Sequence, residues 1–219
     1  MTKRVAVILA GCGVYDGAEI YETTLTLLRL DQLGIEYHCF APDIEQHHVV
    51  NHLNQEVVEG ETRNVLQESA RLARGDISPL AELASENFDA VIVPGGFGVA
   101  KSLSDFASAG ANMQVLEALK EALTGFRQEA KPIGLMCIAA VLVPRLFEDG
   151  IAVTVGNDPA VSGAISSMGG LHRSAGVEEI VVDFEHRVVT TPAYMLATRI
   201  SEAATGIFKL VDRINEMME

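Results

Sequence analysis

The sequence is poor in basic residues and has no long apolar run. Its 219 residues include 16 Lys and Arg against 30 Asp and Glu, which gives a formal net charge of −14. Binding to phosphates or to an anionic membrane surface needs a basic face, which this composition does not favour. No apolar run approaches the roughly 20 residues that span a bilayer. We therefore expect neither a nucleic-acid partner nor a membrane partner.

Cysteine is also scarce, since Cys12, Cys39 and Cys137 are the whole set. An odd number at wide spacing predicts neither a disulfide framework nor a zinc site. We therefore expect a reducing, cytoplasmic location. Residues 1–13 have a basic start but no small-residue cleavage site, so we expect a first strand and not a signal peptide. The histidines within 47–52 could touch a metal, but we interpret that segment as a solvated loop and expect no metal.

Apolar residues follow strand and helix periods in alternation along the chain. Strands are predicted at Val5–Ala10, Ile35–Ala41, Phe88–Val93, Pro132–Met136, Ile151–Val155, Ile180–Phe184 and Arg187–Thr191. Helical spacing is found at Ile20–Leu33, Glu61–Arg74, Val115–Phe126, Ile138–Phe147 and Ser201–Met218, whereas Glu45–Gly60 is irregular. This order predicts an α/β fold with a mainly parallel central sheet and right-handed crossovers. With no repeat or linker, a single domain over 1–219 is expected.

Ligand sites of such sheets lie beyond the carboxyl ends of the strands. The segments Gly11–Gly17, Pro94–Gly98 and Met136–Ala139 stand at three such ends and are rich in glycine or carry a cysteine. We therefore expect the functional site where these three segments meet.

Cys137 is the strongest candidate for chemistry. It follows a buried strand, and the small residues Ala139 and Ala140 stand where a helix would begin. This arrangement is typical of a nucleophile elbow, and the free N–H groups at a helix start would favour a thiolate. The alternative is a buried structural cysteine, a common role of this residue.

The glycine-rich segments each allow two interpretations. Pro94–Gly98 could leave a backbone N–H free to form an oxyanion hole with that of Ile138, or it is a plain strand-to-helix turn. Gly11–Gly17 has the spacing GxGxxxG, one residue longer than the dinucleotide fingerprint, and Asp16 would repel a pyrophosphate. Only this segment would support nucleotide binding, and because its spacing and charge fit poorly, we expect no cofactor.

Two acidic residues, Glu19 and Glu22, stand in the first turns of the first predicted helix. The helix dipole favours acidic side chains there, which explains either residue without a function. A carboxylate beside a thiol in a partly buried pocket would have a raised pKa and could transfer protons.

Together these segments resemble ElbB-type (enhancing lycopene biosynthesis) proteins, within the PfpI-like, class I glutamine amidotransferase-like superfamily. The matching segments cover nearly the whole chain: GCGVYDG (11–17), ETTL (22–25), CFAPD (39–43), NHL (51–53), ETRNVL (61–66), PGGFG (94–98), MCIA (136–139) and TTPAYMLA (190–197). The resemblance implies a flavodoxin-like three-layer sandwich, a homodimer and a glyoxalase that needs no cofactor. The implied substrate is glyoxal or a related small dicarbonyl.

The resemblance also assigns roles. It makes Cys137 the nucleophile and Glu22 the acidic partner, with the N–H groups of Gly96 and Ile138 as the oxyanion hole. Secondary candidates for contact with the substrate, each with an equally plausible structural role, are Cys12, Tyr15, Thr191 and Tyr194. Many relatives have His where Ile138 stands, and deglycase-type relatives have another where Asn157 stands. Without either histidine, glutamine amidotransferase chemistry is not expected.

A Cys–Glu mechanism remains, in which Cys137 adds to one carbonyl and Glu22 moves protons until water releases glycolate. Two alternatives stay open beside it. One is a non-catalytic redox-sensing or regulatory protein, linked to isoprenoid metabolism, with Cys137 oxidised beside Glu22. The other is a protein deglycase.

Overall fold

The computed structural model describes residues 2–218, which contain eleven strands and seven α-helices joined by loops and short 3₁₀ or π turns. The strands are β1 (Arg4–Ile8), β2 (Glu36–Ala41), β3 (Val50–Asn51), β4 (Glu56–Val57), β5 (Ile77–Pro79), β6 (Ala90–Val93), β7 (Ile133–Met136), β8 (Ala152–Val153), β9 (Leu171–His172), β10 (Val181–Asp183) and β11 (Val188–Thr191). The helices are α1 (Ile20–Gln32), α2 (Val65–Leu72), α3 (Phe106–Ala109), α4 (Glu117–Gln128), α5 (Val143–Leu146), α6 (Pro159–Ser167) and α7 (Ile200–Met217).

Seven strands form the central sheet, in the order β10-β11-β7-β6-β1-β2-β5. Every neighbouring pair is parallel except β10–β11, which is an antiparallel hairpin. The sheet is buried on both faces, which explains why its inner strands are continuous apolar runs. In β1, Ala6 and Ile8 face one core while Val5 and Val7 face the other.

Helices cover both faces and complete three layers. The core on one face is built with side chains of α4, such as Leu123 and Phe126, whereas the other is built with α7, such as Ile207 and Leu210. Helix α1 packs beside α7 on this second face. The expected three-layer α/β sandwich with a mainly parallel sheet is therefore confirmed.

Several local expectations are corrected. The segment Ile138–Phe147 is not one helix, because Cys137–Leu142 forms a 3₁₀ helix and only Val143–Leu146 is α-helical. The strand expected at 151–155 pairs with β9 in a separate two-stranded sheet. The irregular segment at 45–60 contains the short hairpin β3–β4, and the edge strand β5 and helix α6 were not predicted.

The connections explain where a site can form. From β1 the chain crosses through α1 to β2 on one side, and it returns after β5 to β6 on the other side of β1. The loops that follow β1 and β6 therefore diverge at the carboxyl edge and open a crevice between them, as in other doubly wound sheets. The loops after β7 and β11 also begin at this carboxyl edge.

Candidate functional site

Cys137 occupies the sharp turn directly after β7. Its φ of 56° lies in the left-handed region, which costs energy for any residue with a Cβ and is typical of strained positions at functional sites. The residue is 8% exposed, so only a small part of it reaches the surface. The strained turn of the expected nucleophile elbow is therefore present.

Glu22 lies directly behind this thiol, on the first turn of α1. Its carboxylate accepts a hydrogen bond from the Gly95 N–H at 2.7 Å and another from the Tyr194 N–H at 3.1 Å. The side chain has no solvent exposure and also forms a hydrogen bond with the Cys137 thiol. Backbone donors from the loops after β6 and β11 thus hold a fully buried carboxylate against the sulfur.

The glycines after β6 permit this close approach. A Cβ on Gly95 would lie 2.5 Å from Cβ of Cys137 and 2.8 Å from Oε2 of Glu22. Gly96 has a φ of 100° and packs against the backbone of Glu19. The N–H groups of Gly96 and Ile138 both form hydrogen bonds with the Cys137 sulfur. The structure therefore brings the four principal predicted residues into one cluster.

The expected raised pKa of the carboxylate is confirmed at Glu22, whereas the expected thiolate at Cys137 is not. Burial, reinforced by the Glu19 carboxylate, raises the pKa of Glu22 from 4.5 to about 7. Burial and the charge of Glu22 also raise the pKa of the Cys137 thiol well above its usual range, against the opposing effect of the two N–H groups. The resting cysteine is therefore a thiol and not the expected thiolate, because burial and the adjoining Glu22 carboxylate outweigh the two N–H groups.

A cavity of about 630 Å³ opens in front of the thiol. Cys137, Ile138, Gly96 and Tyr194 are among its lining residues, whereas Glu22 lies outside it, behind the sulfur. A ligand in this cavity can therefore touch the nucleophile directly and reach Glu22 only past the thiol.

Three secondary candidates are not among the described residues that line this cavity. Cys12 is half-buried in the loop after β1, and burial raises its pKa. The N–H of Tyr15 donates to Nε2 of His52 at 3.3 Å, which ties that loop to the β3–β4 hairpin. Thr191 is buried, and its hydroxyl donates to the carbonyl of Glu179. Tyr15 and Thr191 thus have structural roles in these contacts.

Sequence reasoning singled out Glu19 but gave it no role in the site, and it missed helix α6; both contribute to the cavity. Glu19 is 7% exposed, lines the cavity and caps α1 by accepting the Glu22 N–H at 2.7 Å, while burial raises its pKa. Helix α6 supplies much of one wall, including Ala160 and Ala164. The pair Asp158–Pro159 was an available signal for this helix, because an acidic N-cap followed by proline is typical of a helix start.

Other kinds of site find little support in the described residues. No group of three His, Cys, Asp or Glu side chains between 2 and 218 could hold a metal ion. The loop at 11–17 is closed by contacts within the protein, such as that between the Val50 N–H and Asp16 at 2.7 Å. Over the same residues, every helix is too short or too polar to cross a membrane.

Comparison with known proteins identifies relatives, although no family model matches the chain. The chain is 45% identical to the ES1 protein homolog of Rattus norvegicus, covering 98% of this chain and 84% of that one. It is equally identical to the human glutamine amidotransferase-like class 1 domain-containing protein 3, covering 98% and 83%. The ES1 protein of Danio rerio is 32% identical.

Solved structures agree with this relationship. An isoprenoid biosynthesis protein with an amidotransferase-like domain from Ehrlichia chaffeensis superposes with a TM-score of 0.92 at 36% identity, covering 100% of both chains. DJ-1beta of Drosophila melanogaster superposes with a TM-score of 0.59 at 18% identity, covering 99% and 96%, which indicates the shared fold.

The relatives also contradict the expected cytoplasmic location. All three curated proteins are named as mitochondrial. Unpaired cysteines indicate a reducing environment and not one particular compartment, so the inference from cysteine count to cytoplasm was wrong. By sequence identity over nearly its whole length and by fold, the chain belongs to the ES1, glutamine amidotransferase-like class 1 family.

Proposed function

We propose that this chain is an ElbB-type glyoxalase that needs no cofactor and converts glyoxal, or a related dicarbonyl, into the 2-hydroxy acid. The observation that carries the proposal is the contact between the Cys137 thiol and the buried Glu22 carboxylate at the floor of a cavity. A carboxylate with a pKa near 7 is well matched to take up and return protons at neutral pH.

The first step is addition of the thiol to one aldehyde carbon. The S–H proton passes to Glu22 as the S–C bond forms, so the carboxylate compensates for the high pKa of the buried thiol. The oxygen that gains negative charge faces the N–H groups of Gly96 and Ile138, which already point toward the sulfur. Return of the proton from Glu22 to this oxygen gives a neutral hemithioacetal.

The later steps move a proton between neighbouring carbons. Glu22 removes the hydrogen from the carbon bonded to sulfur, and the resulting enediol is protonated on the adjacent carbon to give a thioester. Water then cleaves the thioester, releasing glycolate and the thiol. One carbon is oxidised and its neighbour is reduced, so glyoxal plus water accounts for every atom and electron of glycolate.

The site favours this chemistry over amide hydrolysis. Glutamine amidotransfer needs a histidine to activate the cysteine. None of the described residues that line the cavity is a histidine, and His172 and His186 contact Val155 and Asp183 instead.

The redox-sensor alternative gains no specific support. Sensor cysteines are usually exposed thiolates of low pKa. Cys137 is buried, and its surroundings raise the pKa of its thiol.

The test is glycolate formation from glyoxal by the purified chain without glutathione. Turnover should be lost in Cys137→Ala and fall by about 10²–10⁴-fold in Glu22→Gln, the usual contribution of one acid–base group. Cys39→Ala is the matched control, because it removes a buried thiol from β2 and should retain activity. Full activity in Cys137→Ala would refute the mechanism. Parallel assays with glyoxal-modified peptide would separate deglycase activity from consumption of free glyoxal.

A further inference from the structure

The cavity in front of Cys137 is much larger than glyoxal requires. Its volume is about 630 Å³, in the range of pockets that enclose ligands many times larger than a two-carbon dialdehyde. Glyoxal bound to the sulfur would leave most of this space filled with water. The volume therefore suggests that a natural substrate carries a substituent beyond its reacting carbons.

Most of the cavity wall is apolar. Carbon-rich side chains come from the loops after β1 and β6, from α3, from α6 and from the turn after β11: Val14, Phe97, Ala100, Phe106, Ala107, Ala160, Val161, Ala164 and Met195. Four of these are alanines, and their small size creates much of the space. Apolar walls favour a ligand whose own surface is apolar, because both surfaces leave water on binding.

The charges at the cavity argue against an anionic substituent. Glu19 and Asp158 are the acidic residues of the wall, and no Lys, Arg or His occurs among the described residues that line it. The Asp158 carboxylate caps α6 by accepting the N–H groups of Ala160 and Val161. A phosphorylated or carboxylated substrate would face Glu19 without a compensating cation, in a protein whose formal net charge is −14.

We propose that the substrate of this site is a neutral 2-oxoaldehyde whose ketone bears a bulky apolar group, either aryl or branched alkyl. The inference rests on the proposed glyoxalase function and specifies its substrate class. The aldehyde carbon bonds to the Cys137 sulfur, and the apolar group lies between α3 and α6. The aldehyde carbon is oxidised to the acid, the ketone carbon is reduced to the alcohol, and water supplies the added oxygen.

The wall positions Ala107 and Ala164 act as specificity determinants. Ala164 lies on α6 and Ala107 on α3, and both line the cavity. A phenylalanine at either position would occupy volume that the substituent needs, while the two carbons of glyoxal require much less room. Each substitution should therefore lower kcat/KM for a bulky substrate more than kcat/KM for glyoxal, and should not lower both values equally.

Phenylglyoxal and glyoxal are a suitable pair of probes, assayed as formation of mandelate and glycolate by the full chain. The wild-type kcat/KM for phenylglyoxal should exceed that for glyoxal by roughly 100-fold, since hydrophobic pockets discriminate by about 10–200-fold even for a single methylene. Ala164→Phe and Ala107→Phe should each lower this ratio at least about tenfold. Cys137→Ser gives the background of non-enzymatic reaction with arginine side chains.

Gly163→Phe is the matched control on α6. A Cβ at Gly163 would meet no atom within 4 Å, so the same large side chain there extends into solvent. The ratio of kcat/KM for phenylglyoxal to kcat/KM for glyoxal should stay at its wild-type value in this variant. Circular dichroism of each variant identifies any that fails to fold, and the two wall variants, one on α3 and one on α6, provide independent tests.

Each outcome decides the inference. A high ratio in the wild type that falls in the folded wall variants but not in Gly163→Phe supports it. Cys137-dependent turnover of glyoxal with equal or poorer use of phenylglyoxal overturns it and leaves the proposed function standing. A ratio that neither wall variant alters also overturns it. If the wild type consumes neither compound, the proposed function fails and this inference fails with it.

Discussion

Replacement of Glu22 by glutamine should change how the stability of the protein depends on pH. The native pKa of Glu22 is about 7, against 4.5 for a glutamate in solvent. Because the folded state holds the proton more tightly, stability should be highest below the unfolded pKa and should fall as pH rises from about 4.5 to about 7. Above pH 7 the buried carboxylate is ionised and its destabilising effect is complete.

The size of this change in the free energy of unfolding follows from the pKa shift of Glu22. Each pKa unit corresponds to about 1.4 kcal/mol, and the group is fully buried, so solvent screening does not reduce the effect. Most of the change falls between pH 5 and pH 8, where the wild type should lose about 2–3 kcal/mol relative to Glu22→Gln. Glutamine can accept from only one of the two N–H groups, Gly95 or Tyr194, but that loss of about 1–3 kcal/mol does not depend on pH.

Urea unfolding of both proteins at pH 5 and pH 8 measures this difference directly. The free energy of unfolding of Glu22→Gln, relative to the wild type, should rise by about 2–3 kcal/mol between the two values. Glu121→Gln on α4 is the control, because its side chain is exposed and its difference from the wild type should stay constant. A stability difference for Glu22→Gln that is the same at both pH values would refute the assignment of a buried, proton-binding carboxylate.

Three further changes test the surroundings of the pair. Glu19→Gln should shift the rising limb of the pH–activity profile to lower pH, because the Glu19 charge raises the pKa of Glu22; an unmoved profile contradicts this. Gly95→Ala should abolish glyoxal turnover and cost about 1–3 kcal/mol in urea unfolding, since its Cβ would meet Cys137 at 2.5 Å; wild-type behaviour contradicts it. Cys39, whose pKa burial raises to about 12, should react with a thiol reagent only in urea; rapid labelling of the folded protein argues otherwise.

The neutral resting state of the Cys137 thiol has a consequence for the mechanism. A low-pKa thiolate would react with many electrophiles and oxidants. A neutral thiol held against a carboxylate becomes nucleophilic only as its proton moves to Glu22. The site should therefore act as a coupled Cys137–Glu22 unit, and removal of either member should cost more than loss of a supporting residue.

Local sequence was sufficient to predict the architecture. Apolar runs such as Val5–Ala10 can be buried on both faces only inside a parallel sheet, and glycine after a strand indicates a tight turn. The same reasoning located the three strand ends, including Cys137 at the elbow, because the carboxyl edge of such a sheet is fixed by chain direction.

Helix α1 shows where apolar periodicity fails. Its buried face includes Glu22, Thr23 and Thr26, whereas Leu28 is 43% exposed. Polar groups can be buried there because neighbouring loops supply partners, as when the N–H groups of Gly95 and Tyr194 donate to the Glu22 carboxylate. A pattern of apolar residues cannot reveal a buried face whose polar atoms are satisfied by distant segments.

Local periodicity and chain direction are enough to predict the sheet, the elbow cysteine and the three strand ends that meet at one edge. The neutral state of the Cys137 thiol depends instead on the tertiary structure, since a pKa depends on burial and on charges that other elements bring near. The shape of the cavity is likewise a result of tertiary packing, since its walls come from α3, α6 and four loops far apart in the chain. A volume enclosed between distant elements is a property of their packing, which no single segment encodes.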